Sequence, residues 1–458
     1  MQPQARRGRA MLRALRGWTV AALGALLALG GCASIVPFGA GRPPIVFVHG
    51  NGDDSALWTT TIWRFESNGW PRDRLHAIDF PYPLARDDDT KPQPGRSSAE
   101  DQMRYLSQQV DRVLAASGAS RVVLIGHSRG GYAIRDYIEN GGGAKKVSHV
   151  ILAATPNHGV WTGDFLPGSV FNGSGPFLSS LNAPRGPRGL EVTSGPKWMT
   201  LRSDGNDKYA QPDGRWIGRP GFATGVDSSG PALKGARNVA LGPVDHREAA
   251  FGPRAFEQMW RFLTGDWPVR TAIVPESSPM LDGRIFRPET NLPMAGVRVE
   301  VYEVAPLTGE RLGAALQART TGEDGRWGPM PARPDVPYEF VVSAPGFAAT
   351  HFYRSAFPRS SSLVQMRPTT LTDEQKSAGS VVTMTRPRGY FDLQRDRMSL
   401  DGAPLPGVPP GVPGVSASTL LLPPGAARTV VAEFNGERIA VRTWPAAGNE
   451  AAVAELHY

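Results

Sequence analysis

Three residue types that together perform nucleophilic chemistry occur in the first half of this chain, in a fixed order. Ser128 stands in Gly126-His127-Ser128-Arg129-Gly130, Asp204 and Asp207 come later, and His246 follows them. A serine hydroxyl becomes a useful nucleophile when a base takes its proton. An acid behind the base fixes its tautomer and stabilises the imidazolium. Such a set transfers acyl groups. A lone Gly-x-Ser-x-Gly means little in a chain with 53 glycines among 458 residues, so its flanks must carry the argument. Arg121–Ile125 is a β-branched apolar run that reads as a strand buried on both faces. Gly131–Glu139 continues with Ile134, Tyr137 and Ile138 at helical spacing. Strand, tight turn and helix would lift the Ser128 hydroxyl clear of the sheet.

The other members fall at the ends of further strands. Ile45–Val48 is a buried strand ending in His49-Gly50-Asn51-Gly52. The backbone N–H of Asn51 and that of Arg129, just after the nucleophile, are the candidate donors to an oxyanion. Lys197–Arg202 reads as a strand followed by Ser203-Asp204-Gly205-Asn206-Asp207. Asp204 and Asp207 compete as the acid, and the Gly205-Asn206 turn leaves Asp207 able to point back toward the sheet. Asn238–Leu241 reads as the last strand of this half, with His246 on the loop beyond it as the base. His158 is a weaker alternative, because it precedes the acid. Between these strands, Trp58–Asn68, Ala99–Ser117 and Arg254–Leu263 read as helices. Pro81–Ser98 reads as a surface loop or small cap, and Gly163–Gly195 as an excursion over the site.

In this order the residues from Pro43 to about Thr264 resemble small lipases of the α/β-hydrolase superfamily. Asp207-Lys208-Tyr209-Ala210-Gln211-Pro212 resembles the Asp-x-x-x-Gln-Pro stretch of a fungal lipase family, where that Asp is the triad acid. The resemblance extends to bacterial and archaeal lipases with an appended β domain, on Pro44–Gly50, the long helix before the serine, and Thr271-Ala272-Ile273-Val274-Pro275. It implies an α/β-hydrolase core, a mostly parallel sheet with helices on both faces, followed by one or two β-sandwich-like domains. It implies a carboxylic ester hydrolase with Ser128, Asp207 and His246 as the triad, acting on acyl esters or lipids without a cofactor or metal. The chain departs from the family's minimal form in the longer Pro156–Gly195 stretch.

Composition narrows the partners. The formal charge of +8 includes Arg6, Arg7, Arg9, Arg13 and Arg16; without these five it falls to +3, too little to argue for nucleic acid. Those arginines precede an apolar run, Trp18–Leu29, too short to span a bilayer. Leu29-Gly30-Gly31-Cys32 then resembles the lipobox of bacterial lipoproteins, and Cys32 is the only cysteine. Residues 1–31 are therefore expected to be a signal peptide and 32–42 a tether. Cys32 would carry a lipid that holds the protein in the cell envelope, and Ala33 after it suggests the outer membrane.

Residues 43–266 are expected to form the catalytic domain. From about Pro268 the texture changes to short alternating strands separated by Gly/Pro/Asp turns. Residues 267–368 resemble a transthyretin-like β-sandwich, and 369–458 are expected to form a further β domain. Trp327, Phe347 and Tyr353 could touch lipid or a polymer, although core packing is the commoner use of such rings. Two other readings compete with a lipase or esterase. One is an aliphatic polyester depolymerase with a shallow groove; the other is a surface binding protein on a hydrolase fold.

Overall fold

Strands covered on both faces read as apolar runs, and the first half of the described chain is built on them. The structure, a computed structural model, describes residues 41–458. The expected signal segment and Cys32 lie outside these residues. Six parallel strands form one sheet: β1 (Ile45–Val48), β2 (Leu75–Ile78), β3 (Val122–His127), β4 (Val147–Ala153), β5 (Lys197–Arg202) and β6 (Arg237–Ala240), in the order β2-β1-β3-β4-β5-β6. Every residue of β1 and β3 is buried.

Helices close both faces. On one side lie α1 (Thr59–Ser67) and, late in this half, α5 (Glu248–Phe251) and α6 (Pro253–Thr264). Phe65, Phe256, Met259 and Trp260 there pack on Phe47 and Ile125. On the other side lie α2 (Ala99–Ser117) and α3 (Arg129–Glu139). They place Leu106, Val110, Ile134 and Tyr137 against Val46, Leu124 and Val150. Each such side chain contributes about 1.5–3 kcal/mol of burial. Helix α2 starts at a reciprocal cap between Ser98 and Asp101 and stops at Gly118, which has a left-handed backbone.

Past residue 266 the architecture is all β apart from one short helix, Asp373–Ser377. Its strands are β7 (Met280–Leu281), β8 (Arg298–Glu303), β9 (Gln317–Thr320), β10 (Met330–Pro331), β11 (Tyr338–Ser343), β12 (Ala349–Arg354), β13 (Ser380–Thr385), β14 (Met398–Leu400), β15 (Ala417–Leu422), β16 (Thr429–Phe434), β17 (Glu437–Arg442) and β18 (Glu450–Glu455). Seven form one sheet in the order β15-β13-β18-β12-β11-β8-β9, and β14-β16-β17 form another.

The expected boundary at 368/369 falls inside that large sheet. Strand β18 runs parallel to β12 along Ala349–Arg354 and to β13 on its other side. Segments before and after residue 368 thus share one hydrogen-bonded layer, a pairing too distant in sequence to leave a local signal. Two of the three aromatics weighed for surface contact follow the commoner use and pack in the interior. Trp327 packs on Phe340, and Tyr353 lies in the core with Val382 and Val441. Phe347 is half-buried.

Candidate active site

The polar residues singled out in the sequence collect at the carboxyl ends of β1, β3, β5 and β6, where parallel sheets place their sites. Four loops meet there.

Strand β3 runs into α3 through Ser128, which has φ 52° and ψ −126°, a strained conformation for a residue with a side chain. The turn is held by Ser128 N–H donating to Ala153 O (2.9 Å) and Gly131 N–H donating to Ser128 O (2.9 Å). The close approach explains two glycines. A Cβ on Gly130 would collide with the carbonyl oxygens of Val48 and His49. One on Gly50 would lie 2.9 Å from the Ser128 Cβ. Arg129 is the first helical residue, so its N–H has no partner within α3 and sits at the positive end of the helix dipole.

The loop after β1 lies beside this turn. His49 is buried; its Nδ1–H donates to Gly50 O (2.8 Å), and its Nε2 accepts from Phe80 N–H (3.0 Å). The Asn51 side chain accepts from Ala85 N–H (2.7 Å). The Arg129 guanidinium, also buried, donates to Ser97 O (2.6 Å), Ser97 Oγ (3.1 Å) and Pro83 O (3.3 Å). The loop 81–98 is thereby tied to the serine turn and to the Asn51 loop at both of its ends. Burial pushes the Arg129 guanidinium down to about 10.

The loops after β5 and β6 bring an acid to a base. His246 Nδ1–H donates to the Asp207 carboxylate, 2.8 Å from Oδ2 and 2.9 Å from Oδ1. Its Nε2 is left as the acceptor nitrogen. Asp207 also accepts from Tyr209 N–H (2.8 Å), and Gln211 spans the turn to the carbonyls of Gly205 and Asp207 (2.8 Å each). The Tyr209 ring packs edge-on against His246, with centroids 4.7 Å apart.

Asp204, by contrast, is exposed, and its backbone N–H donates to Gly242 O (3.0 Å). His158 bonds Glu191 (3.2 Å) and lines a neighbouring cavity of about 420 Å³.

Ser128, His246 and Asn51 all line one cavity of about 410 Å³. Its apolar wall comes from the 160–171 stretch, as Val160, Trp161, Phe165, Leu166 and Phe171. Trp216 and Ile217 also line it, together with Lys208, Tyr209, Arg247 and, from the β region, Tyr390, Gly414 and Ser416. The long insertion after β4 is therefore a wall of this cavity.

Sequence reasoning missed three contributors. The first is His127, beside the serine. Its Nε2–H donates to His246 O (3.0 Å), and its ring lies 4.8 Å from the His246 ring. Burial, then the neighbouring His246, hold His127 well below its ordinary range, so it stays neutral. The second is Asp53, which pairs with Arg247 at 2.6 Å. The third is Arg386. Asp245, next to His246 and fully buried, accepts from Arg386 Nη1 (3.0 Å) and from Tyr390 N–H (2.8 Å). Arg386 also reaches Glu248 (2.7 Å). Burial and Glu248 push the Asp245 carboxyl up to about 6 despite Arg386. The Arg386-Pro387-Arg388-Gly389-Tyr390 run after a distant strand carries no local sign of this role.

Among the described residues, no group of three His, Cys, Asp or Glu side chains is placed to hold a metal ion. No described helix is long and apolar enough to cross a membrane.

Residues 43–172 match the family model of the alpha/beta hydrolase fold, and residues 278–371 match that of the lipase C-terminal domain. Among solved structures, the chain is similar to a Bacillus licheniformis lipase in its propeptide form, with 18% identity over 58% of this chain and 58% of that one, TM-score 0.36. It is also similar to Aspergillus fumigatus lipase B (15% identity, 52% of this chain and 56% of that one, TM-score 0.35). A third is the phospholipase PlaB of Legionella pneumophila (14% identity, 73% and 95%, TM-score 0.32). The chain has an α/β-hydrolase core followed by a β-rich region, part of which matches the lipase C-terminal domain model.

Proposed function

We propose that this protein hydrolyses carboxylic esters of acyl lipids, with Ser128 as nucleophile, His246 as base and Asp207 as the acid behind it. One observation carries the reading. His246, held by Asp207 at 2.8 Å, faces the same cavity as a strained serine at a helix N-terminus. His246 Nε2 takes the proton as Ser128 Oγ attacks the ester carbonyl. The N–H groups of Asn51 and Arg129 hold the resulting oxyanion, a device worth several kcal/mol of barrier. His246 then gives its proton to the leaving alcohol, and the acyl group stays on Ser128. Water activated by His246 releases the acid. Neutral His127 adds no positive charge of its own beside the imidazolium.

A walled cavity suits a single acyl chain better than a polymer laid across an open groove. A binding protein without activity would have no need to keep the strained serine. Cys32 is the proposed lipid anchor, and the proposed location is the cell envelope at the outer membrane. Cys32→Ser is expected to move the protein into the soluble fraction.

A fluorophosphonate probe is expected to label Ser128 once per chain and to abolish cleavage across a panel of p-nitrophenyl esters. A clearing assay on a polyhydroxyalkanoate film is run beside the panel. Labelling elsewhere, or full activity in Ser128→Ala, overturns the assignment. Clearing of the film with little cleavage of the short esters moves the substrate class to polyesters.

A further inference from the structure

The cavity has one wall that an acyl chain does not explain. Besides Trp161, Phe165 and Phe171, two cations line it, Lys208 and Arg247. They are treated differently by their surroundings. Arg247 is neutralised by Asp53 at 2.6 Å. Lys208 has no carboxylate partner among the described residues. Its Nζ donates to Gly414 O (3.1 Å) and rests 4.0 Å from the centroid of the Tyr390 ring. Tyr209 and Trp216 stand further off, at 5.1 and 5.5 Å. Three rings and one carbonyl thus fix an ammonium in the cavity wall, and an ammonium has three N–H groups to give. The seat is built from both halves of the chain. Trp216 lies so close to Gly414 that a Cβ there would strike its ring.

The charged groups around Lys208 are already committed. Asp207 is bonded to His246, Asp53 to Arg247, and Asp245 to Arg386. Burial, then the nearby Arg247, pushes the lysine down to about 8 against the pull of these carboxylates. A half-buried ammonium with no carboxylate in contact keeps N–H groups free for a bound anion.

We propose that Lys208 makes this cavity selective for esters that carry an anionic group, a carboxylate or a phosphate, beside an apolar chain. This rests on the ester-hydrolase reading of the same cavity. The group could lie on the acyl side or on the alcohol side, and two pairs of substrates separate these cases. On the acyl side, mono-p-nitrophenyl glutarate is compared with p-nitrophenyl pentanoate. On the alcohol side, p-butyryloxybenzoate is compared with its methyl ester.

In each pair the readout is the ratio of kcat/KM for the anionic ester to that for the neutral one. Lys208→Met keeps the length of the side chain and removes its charge. It is expected to lower the ratio about tenfold, through KM, in the arm whose anion meets the lysine. Lys208→Arg is expected to keep most of the ratio. The wild-type ratio should fall as pH rises through about 8, because the ammonium is lost there; in Lys208→Met it should stay flat. A purely structural lysine, one that only steadies Gly414 and Tyr390, would lower both rates together and leave the ratio and its pH profile unchanged.

Calorimetry on Ser128→Ala supplies a readout without turnover, comparing monoethyl glutarate with ethyl pentanoate. Tighter binding of the anion that disappears with Lys208→Met supports the inference even if no ester is cleaved, in which case the hydrolase reading alone fails. Cleavage with ratios unmoved in both arms overturns the inference and leaves the hydrolase reading standing. No cleavage and no difference in binding overturns both.

Discussion

The two halves of the molecule bury charge in opposite ways. In the catalytic half, the parallel sheet is covered on both faces, and its ionisable groups crowd one edge, where some stay incompletely partnered. His127 is held neutral beside the base, and Lys208 rests on rings. In the β region, several buried charges meet close partners. Arg388 donates to the carbonyls of Leu456 and His457 at 2.6 and 2.9 Å. Glu339 meets both Arg311 and His351 at 2.6 Å. Arg386 bridges Asp245 and Glu248 across the junction. Charge kept short of partners is available to a substrate; partnered charge holds backbone in place. The β region thus contributes scaffold to the catalytic half at the loop that carries His246.

The largest expected effect tests the catalytic half. Asp207→Asn should lower turnover by about four orders of magnitude, since the base then loses its tautomer. Asp204→Asn, at an exposed position, should leave turnover within about threefold, as surface substitutions usually do. Initial rates on one p-nitrophenyl ester decide this, and the reverse ranking would hand the acid role to Asp204.

The next effect crosses the junction. Arg386→Met strands Asp245 and part of Glu248 in the interior. Removing one partner of a buried pair costs about 3–5 kcal/mol, so the unfolding midpoint in denaturant should drop sharply. Activity should fall with it, because the His246 loop loses its anchor. An unchanged midpoint with full activity would mean that the two halves are independent.

The smallest effect sharpens the view of the β region as scaffold. His457 is buried, and its ring donates to Ser355 O at 3.0 Å. Burial, then Arg388, holds it down to about 3. Below pH 6.5 the unfolded chain takes up a proton that the folded one refuses, so stability present above 6.5 is lost on acidification. The loss approaches about 1.4 kcal/mol per pH unit for this group. Unfolding midpoints between pH 7 and pH 5 should fall less steeply in His457→Gln. Parallel slopes for the two proteins would show that His457 titrates freely.

Where the sequence was informative, the cause was local. Strands such as Ile45–Val48 and Val122–His127 carry their burial in apolar runs, and α2 begins at the Ser98–Asp101 cap. The serine turn is legible because its glycines, strand and helix are contiguous. The choice between Asp204 and Asp207 was harder. Both follow the same strand, and only the direction of a side chain separates them. The structure brings Asp207, and not Asp204, within hydrogen-bond reach of His246.

What could not be read was set by distant pairing. The work of the Arg129 side chain depends on Ser97, and that of Lys208 on Gly414 and Tyr390. No residue near Arg386 announces that it will meet Asp245. The shared seven-stranded sheet escaped notice for the same reason, since β12 and β18 are neighbours in space and far apart in the chain.

That sheet has a consequence for timing. Strand β18 lies between β12 and β13, flanked by both in parallel. Until residues 450–455 have emerged, strands made much earlier wait with unsatisfied edges. Contacts between distant segments form slowly, because a long loop must close first. The residues just after β18 supply the carbonyls that Arg386 and Arg388 grip, and Arg386 in turn holds Asp245 beside the base. The nascent chain therefore carries Ser128, Asp207 and His246 before the brace that steadies the His246 loop can form. Order of assembly acts as a delay, so that the proposed ester-cleaving centre is steadied only once residues 456–458 have been made.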